Sequence, residues 1–171
     1  MKVVVTEYND KWSRMFMEES REISTIFGDE LVDIHHIGST SVPGLHAKPV
    51  IDMMPVVKDI ERIDAFNKQM AALGYECMGE FGMKGRRYFR KGGENRTHQV
   101  HVFQADNEED IVRHLAVRDY LRTHDEEAKQ YGNLKENLAK QFPKDIAAYM
   151  DGKDAFVKQL ETKALHWYRS S

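Results

Sequence analysis

A short run of glycine and hydroxyl residues has the clearest capacity for chemistry in this sequence. Gly38, Ser39, Thr40 and Ser41 follow an apolar segment and precede Pro43. Glycine lets a ligand approach the backbone closely, and the three hydroxyl groups can donate hydrogen bonds. If a short helix begins here, its free N–H groups favour an anion such as phosphate. We therefore predict that this run binds the phosphate of a substrate. The alternative is a tight turn with capping hydroxyls.

An aspartate follows inside the apolar segment VIDMMPVV, with twelve residues between it and Ser39. A charge in an apolar strand is costly unless it is paired or bound to a metal. A carboxylate beside a phosphate-binding loop is what Mg²⁺ or Mn²⁺ requires, because the metal then bridges the phosphates. We predict that Asp52 is catalytic and binds the metal. Lys48 is predicted as a second catalytic residue that stabilises developing negative charge.

A concentrated basic segment lies between positions 84 and 96, where Glu94 is the single acid. Guanidinium groups match the geometry of phosphate and carboxylate oxygens. We predict anion binding by Arg86, Arg87 and Arg90. A charged strand edge exposed to solvent would explain the same residues, and the interleaved Tyr88 could belong to the core or stack on a base.

The histidines offer one further candidate ligand. His98 and His101 lie three residues apart in a segment that reads as a strand, so they point to opposite faces of the sheet. We hypothesise that His101 joins Asp52 in the metal site. A hydrogen-bonded structural histidine is the alternative. His36, close to Gly38, is a further candidate for the site, and the alternative is that it orients the loop. The helical histidines at positions 114, 124 and 166 are expected at the surface.

These residues must be positioned by a mixed set of strands and helices. Apolar spacing and glycine punctuation predict two helices in the first half and only helices after position 107. Pro143 is expected to open the last helix. The predicted strands are residues 31–37, 50–57, 75–81, 87–90 and 97–104, and the two early helices run from about residue 10 to 27 and from 60 to 73.

The composition favours one globular domain across residues 1–171. The chain has 41% hydrophobic residues, a net charge of −3 and one cysteine, Cys77. The acidic balance makes nucleic acid an unlikely partner, although a local basic site is compatible with it. A lone cysteine, a short apolar N-terminal stretch and the lack of a long apolar run predict a cytoplasmic protein that does not enter a membrane.

The stretch HIGSTSVPGLHAKPVIDMMPVV resembles the signature of the GrpB family, and GRRYFRKGGENRTHQVHVF and HLAVRDYLRTH resemble two further blocks of that family. The resemblance implies an α/β fold of the nucleotidyltransferase type: a mixed β-sheet flanked by helices, with additional C-terminal helices. Gly38 and Ser39 match the Gly-Ser loop of that superfamily, and Asp52 matches the first acid of its Asp-x-Asp motif. Met54 replaces the second acid.

Two functions follow from this resemblance. The first is a metal-dependent nucleotidyl- or phosphoryl-transferase acting on an unknown acceptor. The second is a catalytically inactive protein that binds a nucleotide or another phosphorylated small molecule. Similar domains occur joined to dephospho-CoA kinase, so a CoA-related ligand is a candidate. The missing acid at position 54 is the reason that both functions stay open.

Overall fold

A five-stranded mixed sheet forms the centre of the computed structural model, which describes residues 2–170. The strand order is β1-β2-β5-β4-β3, and only β2 and β5 run parallel. The strands are β1 (Leu31–Ile37), β2 (Ile51–Val57), β3 (Tyr75–Cys77), β4 (Arg86–Lys91) and β5 (His98–Gln104). The predicted mixed sheet is confirmed. The third strand is shorter than expected, because a glycine-rich loop begins at Gly79.

The helices lie in two groups that are separated in sequence. The first group holds α1 (Lys11–Phe27), a 3₁₀ segment (Ile60–Phe66) and α2 (Asn67–Ala72); the second holds α3 (Glu108–Thr123), α4 (Asp125–Gln141) and α5 (Ile146–Ser170). The predicted second helix therefore begins as a 3₁₀ segment. A further 3₁₀ turn spans Ser39–Ser41, and α5 follows Pro143, as expected.

The two faces of the sheet bury different cores. On the first face, Met53 of β2 and Val100 of β5 pack with Trp12 and Ile23 of α1. On the second face, Met54 and Phe103 pack near Leu115 of α3. Neighbouring residues of a strand point to opposite faces, so Asp52 shares the second face with Met54. The face that carries Asp52 is therefore the face that the C-terminal helices cover.

The C-terminal helices pack on each other and on the loop that follows β1. Val42 and Leu45 of this loop contact a cluster that includes Ala116 of α3, Tyr131 of α4 and Leu160 of α5. The loop is consequently held between the sheet and the helices. This arrangement places residues 38–52 at the junction of the two parts of the chain.

Candidate functional site

Asp52 opens into a cleft of about 230 Å³ that Ser39 and Lys48 also line. A side-chain carbon at Gly38 would lie 2.7 Å from Asp52 Oδ2, and Gly38 has a φ of 72°. Only glycine combines this backbone conformation with so close an approach of the carboxylate. The structure thus brings together the loop, the lysine and the aspartate that the sequence had suggested.

The three hydroxyl groups of the loop have different surroundings. The Ser41 hydroxyl donates to the Gly38 carbonyl, and Thr40 Oγ1 donates to the Val50 carbonyl at 3.2 Å. Both residues are buried. Their hydroxyls are therefore used within the loop. Thr40 lines the cleft together with Ser39, whereas Ser41 is not among the lining residues. Substrate contact by Thr40 and Ser41 stays a prediction.

His36 supports the loop, and its ring stacks on that of Phe16 with 4.8 Å between the ring centroids. His36 Nε2 lies 3.0 Å from Thr40 Oγ1. Because Thr40 Oγ1 donates to the Val50 carbonyl, His36 Nε2 is the donor in this pair. Burial lowers the pKa of His36 to about 4, with Asp52 opposing the shift. A neutral histidine therefore orients the loop, one of the two roles that the sequence suggested.

Two arginines of α3 hold the outer side of the same loop. Arg118 Nη1 donates to the His36 carbonyl at 3.3 Å, and Arg122 Nε donates to the Ser41 carbonyl at 2.9 Å. Arg118 also pairs with Asp119 at 2.8 Å. These bonds fasten the loop to the C-terminal helices. Its geometry is thus fixed by contacts that lie far apart in sequence.

Three lysines converge on the cleft, and two of them come from the C-terminal helices. Lys48, Lys135 of α4 and Lys153 of α5 all line it, together with Tyr149. Lys135 is 2% exposed, and its Nζ donates to Ser39 Oγ at 2.8 Å. Asp52 is the acid among the lining residues. The cleft therefore carries more basic than acidic groups.

Burial disfavours the charged form of each of these lysines. Desolvation and the neighbouring lysines lower the pKa of Lys135 to about 6 and that of Lys153 to about 8, and the pKa of Lys48 is also lowered by burial. The Nζ of Lys135 lies 4.3 Å from the centroid of the Tyr131 ring, and both Lys48 and Lys153 lie over Tyr149. Clustered, dehydrated amines of this kind are stabilised by an anion.

The Tyr149 hydroxyl is a further polar group at this cleft. Tyr149 is fully buried, and within residues 2–170 its hydroxyl has no hydrogen-bond partner. Buried hydroxyl groups in folded proteins are normally paired. The cleft thus contains a donor that a bound ligand oxygen could satisfy.

His101 and Asp52 form a direct pair across β2 and β5. His101 Nε2 lies 3.1 Å from Asp52 Oδ1, and Arg86 Nη1 lies 3.4 Å from His101 Nδ1. Arginine can only donate, so this arrangement places the imidazole proton on Nε2, where it is donated to Asp52. In this tautomer His101 orients the carboxylate. The hypothesis that His101 binds a metal would require that proton to leave.

His114 is not the surface residue that the sequence suggested. Its ring lies 5.9 Å from that of His101, and burial lowers the pKa of His114 to about 4. The pattern of apolar residues along α3 could not predict that His114 lies next to His101, because this contact depends on how α3 crosses the sheet. His114 adds an uncharged ring behind the Asp52–His101 pair.

The donor set fits a two-metal centre poorly. Among residues 2–170 no group of three or more His, Cys, Asp or Glu side chains could hold a metal ion. Met54 is fully buried and packs with Ile37 and Phe103. Asp52 could still hold one Mg²⁺ or Mn²⁺ whose other ligands are water and phosphate oxygens, because Mg²⁺ is commonly bound by one or two carboxylates.

The three predicted arginines do not share one site. Arg87 lies on the first face of the sheet, where its Nε donates to Asp64 Oδ1 at 2.8 Å. Arg90 is on the second face and pairs with Glu76 at 2.8 Å. Of the three, Arg86 approaches the site, through His101. Arg87 is therefore not brought to Asp52, and the strict alternation of a strand was the signal that could have separated it from Arg86.

The sheet order, with the Gly-Ser loop before β2 and Asp52 on that strand, is that of a nucleotidyltransferase-like α/β fold. The solved structure of the Cid1 poly(U) polymerase with MgGTP bound superposes with a TM-score of 0.53 and 18% identity, over 78% of this chain and 44% of that chain. A second Cid1 structure, with Mg 3′-dATP bound, gives a TM-score of 0.56 at 12% identity, over 78% and 43% of the two chains. At these identities the likeness concerns the fold.

The chain belongs to the GrpB family, because the family model described as GrpB protein matches residues 2–163. The crystal structure of the conserved protein GrpB from Enterococcus faecalis is 48% identical, with a TM-score of 0.94 over 96% of this chain and 99% of that one. The glutamate-rich protein GrpB of Alkalihalophilus pseudofirmus is 32% identical over 92% of this chain and 93% of that protein.

Relatives differ in length. The UPF0157 protein YqkA of Bacillus subtilis is 49% identical over 97% of this chain, but the match spans about half of that protein, 48% of its length. Within residues 2–170, no helix has the length and apolar character needed to cross a bilayer.

Proposed function

We propose that the cleft binds the phosphate groups of a nucleotide or of another phosphorylated small molecule. The observation that carries this proposal is that Lys48, Lys135 and Lys153 line one cleft with Ser39, and that Asp52 is the acid among its lining residues. Three amines and a hydroxyl around a cleft of about 230 Å³ match the charge and hydrogen-bonding capacity of phosphate oxygens.

Electrostatics supports an anion at this position. Lys135 loses most of its hydration on folding, and the neighbouring Lys48 and Lys153 oppose its protonation. A phosphate between the three amines would reverse that balance, because each negative oxygen favours the charged form of lysine. Binding at neutral pH would then be accompanied by proton uptake at Lys135.

The same contacts indicate how the ligand would be oriented. The Ser39 hydroxyl accepts a hydrogen bond from Lys135 and keeps its own proton to donate. Tyr149 lines the same cleft, and its buried hydroxyl has no hydrogen-bond partner within residues 2–170. A phosphate that accepts from Ser39 and Tyr149 would have its remaining oxygens directed toward the lysines. The ligand's other part would then lie toward Asp52.

A thermal-shift experiment tests the proposal. The purified protein is screened with inorganic triphosphate, each nucleoside triphosphate, CoA and dephospho-CoA, with and without Mg²⁺ or Mn²⁺. A ligand at a hundred times its Kd stabilises by about 2.7 kcal/mol, which raises Tm by roughly 5–10 °C in a domain of this size. We expect Ser39→Ala and Lys135→Met to reduce the shift.

Lys140→Met is the matched control, because Lys140 lies on the same helix as Lys135 but is exposed. It should retain the full shift. If none of these anions changes Tm, or if the Lys135 and Lys140 variants respond like the parent, phosphate binding in this cleft is wrong.

Metal-dependent nucleotidyl or phosphoryl transfer is the second candidate function. The 3.1 Å contact that orients Asp52 through His101 favours it, because an oriented carboxylate beside a phosphate site can hold one divalent cation. Such a cation would neutralise charge on the transferred group. Asp52 would hold it, and Lys48 would stabilise the negative charge that develops.

Incubation with labelled nucleoside triphosphates and Mg²⁺ or Mn²⁺ separates transfer from binding alone. We expect Asp52→Asn to abolish release or transfer of label while nucleotide binding persists. If the parent protein binds a nucleotide tightly and the nucleotide is recovered unaltered, transfer to the acceptors supplied is excluded. The chain would then be a binding protein.

A further inference from the structure

Phe81 is an exposed aromatic residue in a strained backbone conformation. Its side chain is 52% exposed, and its φ of 46° makes it the single non-glycine residue with positive φ among residues 2–170. The other large apolar residues that are exposed in that range have no aromatic ring; they are Val4, Met17, Val32 and Met150. A bulky residue at positive φ is strained, so a glycine would be more stable there.

The loop that carries Phe81 is nevertheless held in one conformation. Arg86 donates to the carbonyls of Glu80 and Phe81 at 3.3 and 3.0 Å. The Glu80 carboxylate accepts from the Gly85 N–H at 2.8 Å, and the Tyr88 N–H donates to the Gly79 carbonyl at 2.7 Å. The ring is therefore presented to solvent by a rigid support.

A row of rings connects Phe81 with the candidate site. The Phe81 and Tyr88 centroids are 5.2 Å apart, and those of Tyr88 and His101 are 5.3 Å apart. His101 in turn contacts Asp52. The guanidinium of Arg90 lies 5.6 Å from the Phe81 centroid. Phe81 thus stands at the far end of the face that carries Asp52.

We propose that Phe81, with Tyr88 beneath it and Arg90 beside it, forms a stacking surface for a nucleobase that is attached to a phosphate. The inference rests on the proposed function, because it treats the lysine cleft as a neighbouring phosphate site and names the class of compound that would lie next to it. The base could belong to a free nucleotide or to the end of an RNA chain.

The chemistry of the surface favours this ligand class. Planar bases stack on aromatic side chains and guanidinium groups irrespective of base identity. Lys84 is exposed on the same loop, and Arg86 donates only to carbonyls and His101, so within residues 2–170 these two cations are not paired with a carboxylate, whereas Arg90 pairs with Glu76. The net charge of −3 disfavours a long wrapped chain.

The test compares a fluorescein-labelled pentamer of adenosine nucleotides with a labelled pentamer of abasic ribose phosphates, by fluorescence anisotropy at low salt. Both carry the same backbone charge, so their affinity ratio reports the bases. We expect the parent to bind the adenosine pentamer about tenfold more tightly, the value for one stacked base. Phe81→Tyr should retain this ratio.

Phe81→Gly is the decisive variant, because glycine accepts the positive φ and keeps the loop folded. It should show an unchanged or higher Tm together with a ratio near one. A parent that does not distinguish the two pentamers, or a Phe81→Gly protein that still does, overturns the proposal. Competition by free AMP identifies a nucleotide as the source of the base, and its failure identifies an RNA end.

The outcome is separable from that of the proposed function. A preserved ratio without any thermal shift from phosphate compounds would reject the cleft alone. A thermal shift without a ratio would reject the stacking surface alone.

Discussion

Lys135 illustrates at the residue scale how a single amine can oppose folding and favour binding. Its side chain is 2% exposed, and burial among lysines lowers its pKa to about 6. The unfolded chain holds the proton up to about pH 10.5, so the unfolded state binds more protons than the native state between pH 6 and 10.5. The stability of the native protein therefore rises with pH across this window.

Replacing this lysine should separate stability from ligand binding. Lys135→Met no longer has to deprotonate a buried amine, which at pH 7 is worth roughly 5 kcal/mol, but it loses the contacts with Ser39 and Tyr131. We therefore expect a net rise of about 2 kcal/mol in the free energy of unfolding at pH 7, which is roughly 4–8 °C in Tm. The gain should be largest below pH 6 and shrink toward pH 10. Thermal melts of parent and variant across pH measure it.

The opposite result has a clear meaning. If Lys135→Met is less stable than the parent at pH 6 and the difference does not change with pH, the amine is charged and already satisfied in the ligand-free protein. The contacts with Ser39 and Tyr131 would then be structural.

At the scale of elements, the sequence predicted the sheet better than the site. Glycine and apolar patterns are local, so β1, β2 and β5 could be read directly from the chain. The sequence also suggested that the Gly-Ser loop lies beside Asp52, from the residue types and their spacing along the chain. The fates of Thr40 and Ser41 could not be read, because the groups that engage them, such as the Val50 carbonyl, become neighbours only in the folded loop.

The C-terminal helices show the limit of sequence reasoning more plainly. Lys135 and Lys153 lie in helices rich in charged residues, and nothing in their local spacing distinguishes them from exposed lysines. Their position depends on close packing of α4 and α5, where a side-chain carbon at Gly152 would lie 2.5 Å from Leu138. Tertiary packing of these helices, and not a motif, creates the basic half of the cleft.

At the scale of the whole molecule, two neutral histidines lie where the sheet meets the C-terminal helices. His36 supports the Gly-Ser loop and His114 lies behind His101, and burial lowers the pKa of each to about 4. The unfolded chain binds these protons near pH 6.5, so the unfolded state holds more protons between pH 4 and 6.5. The two histidines therefore do not reduce the stability of the native protein above pH 6.5, and they reduce it progressively as the pH falls toward 4.

We expect this pair to contribute to acid unfolding by about 2 kcal/mol each. Urea unfolding at pH 7 and pH 4.5 measures the loss, and the double variant His36→Gln, His114→Gln should lose less stability than the parent between the two values. His166→Gln, at an exposed position on α5, is the control and should behave like the parent. An equal loss in the double variant would show that carboxylates alone drive the acid transition.

The burial of Met54 limits how this chain could be converted into a two-metal enzyme. An aspartate introduced there would sit between Ile37 and Phe103 under Leu115, without access to water or to a cation. Desolvation would keep such a carboxylic acid protonated at neutral pH, so it would weaken the core without gaining a ligand. A two-metal site at this position would require remodelling α3 as well, so a single substitution at position 54 would not create one.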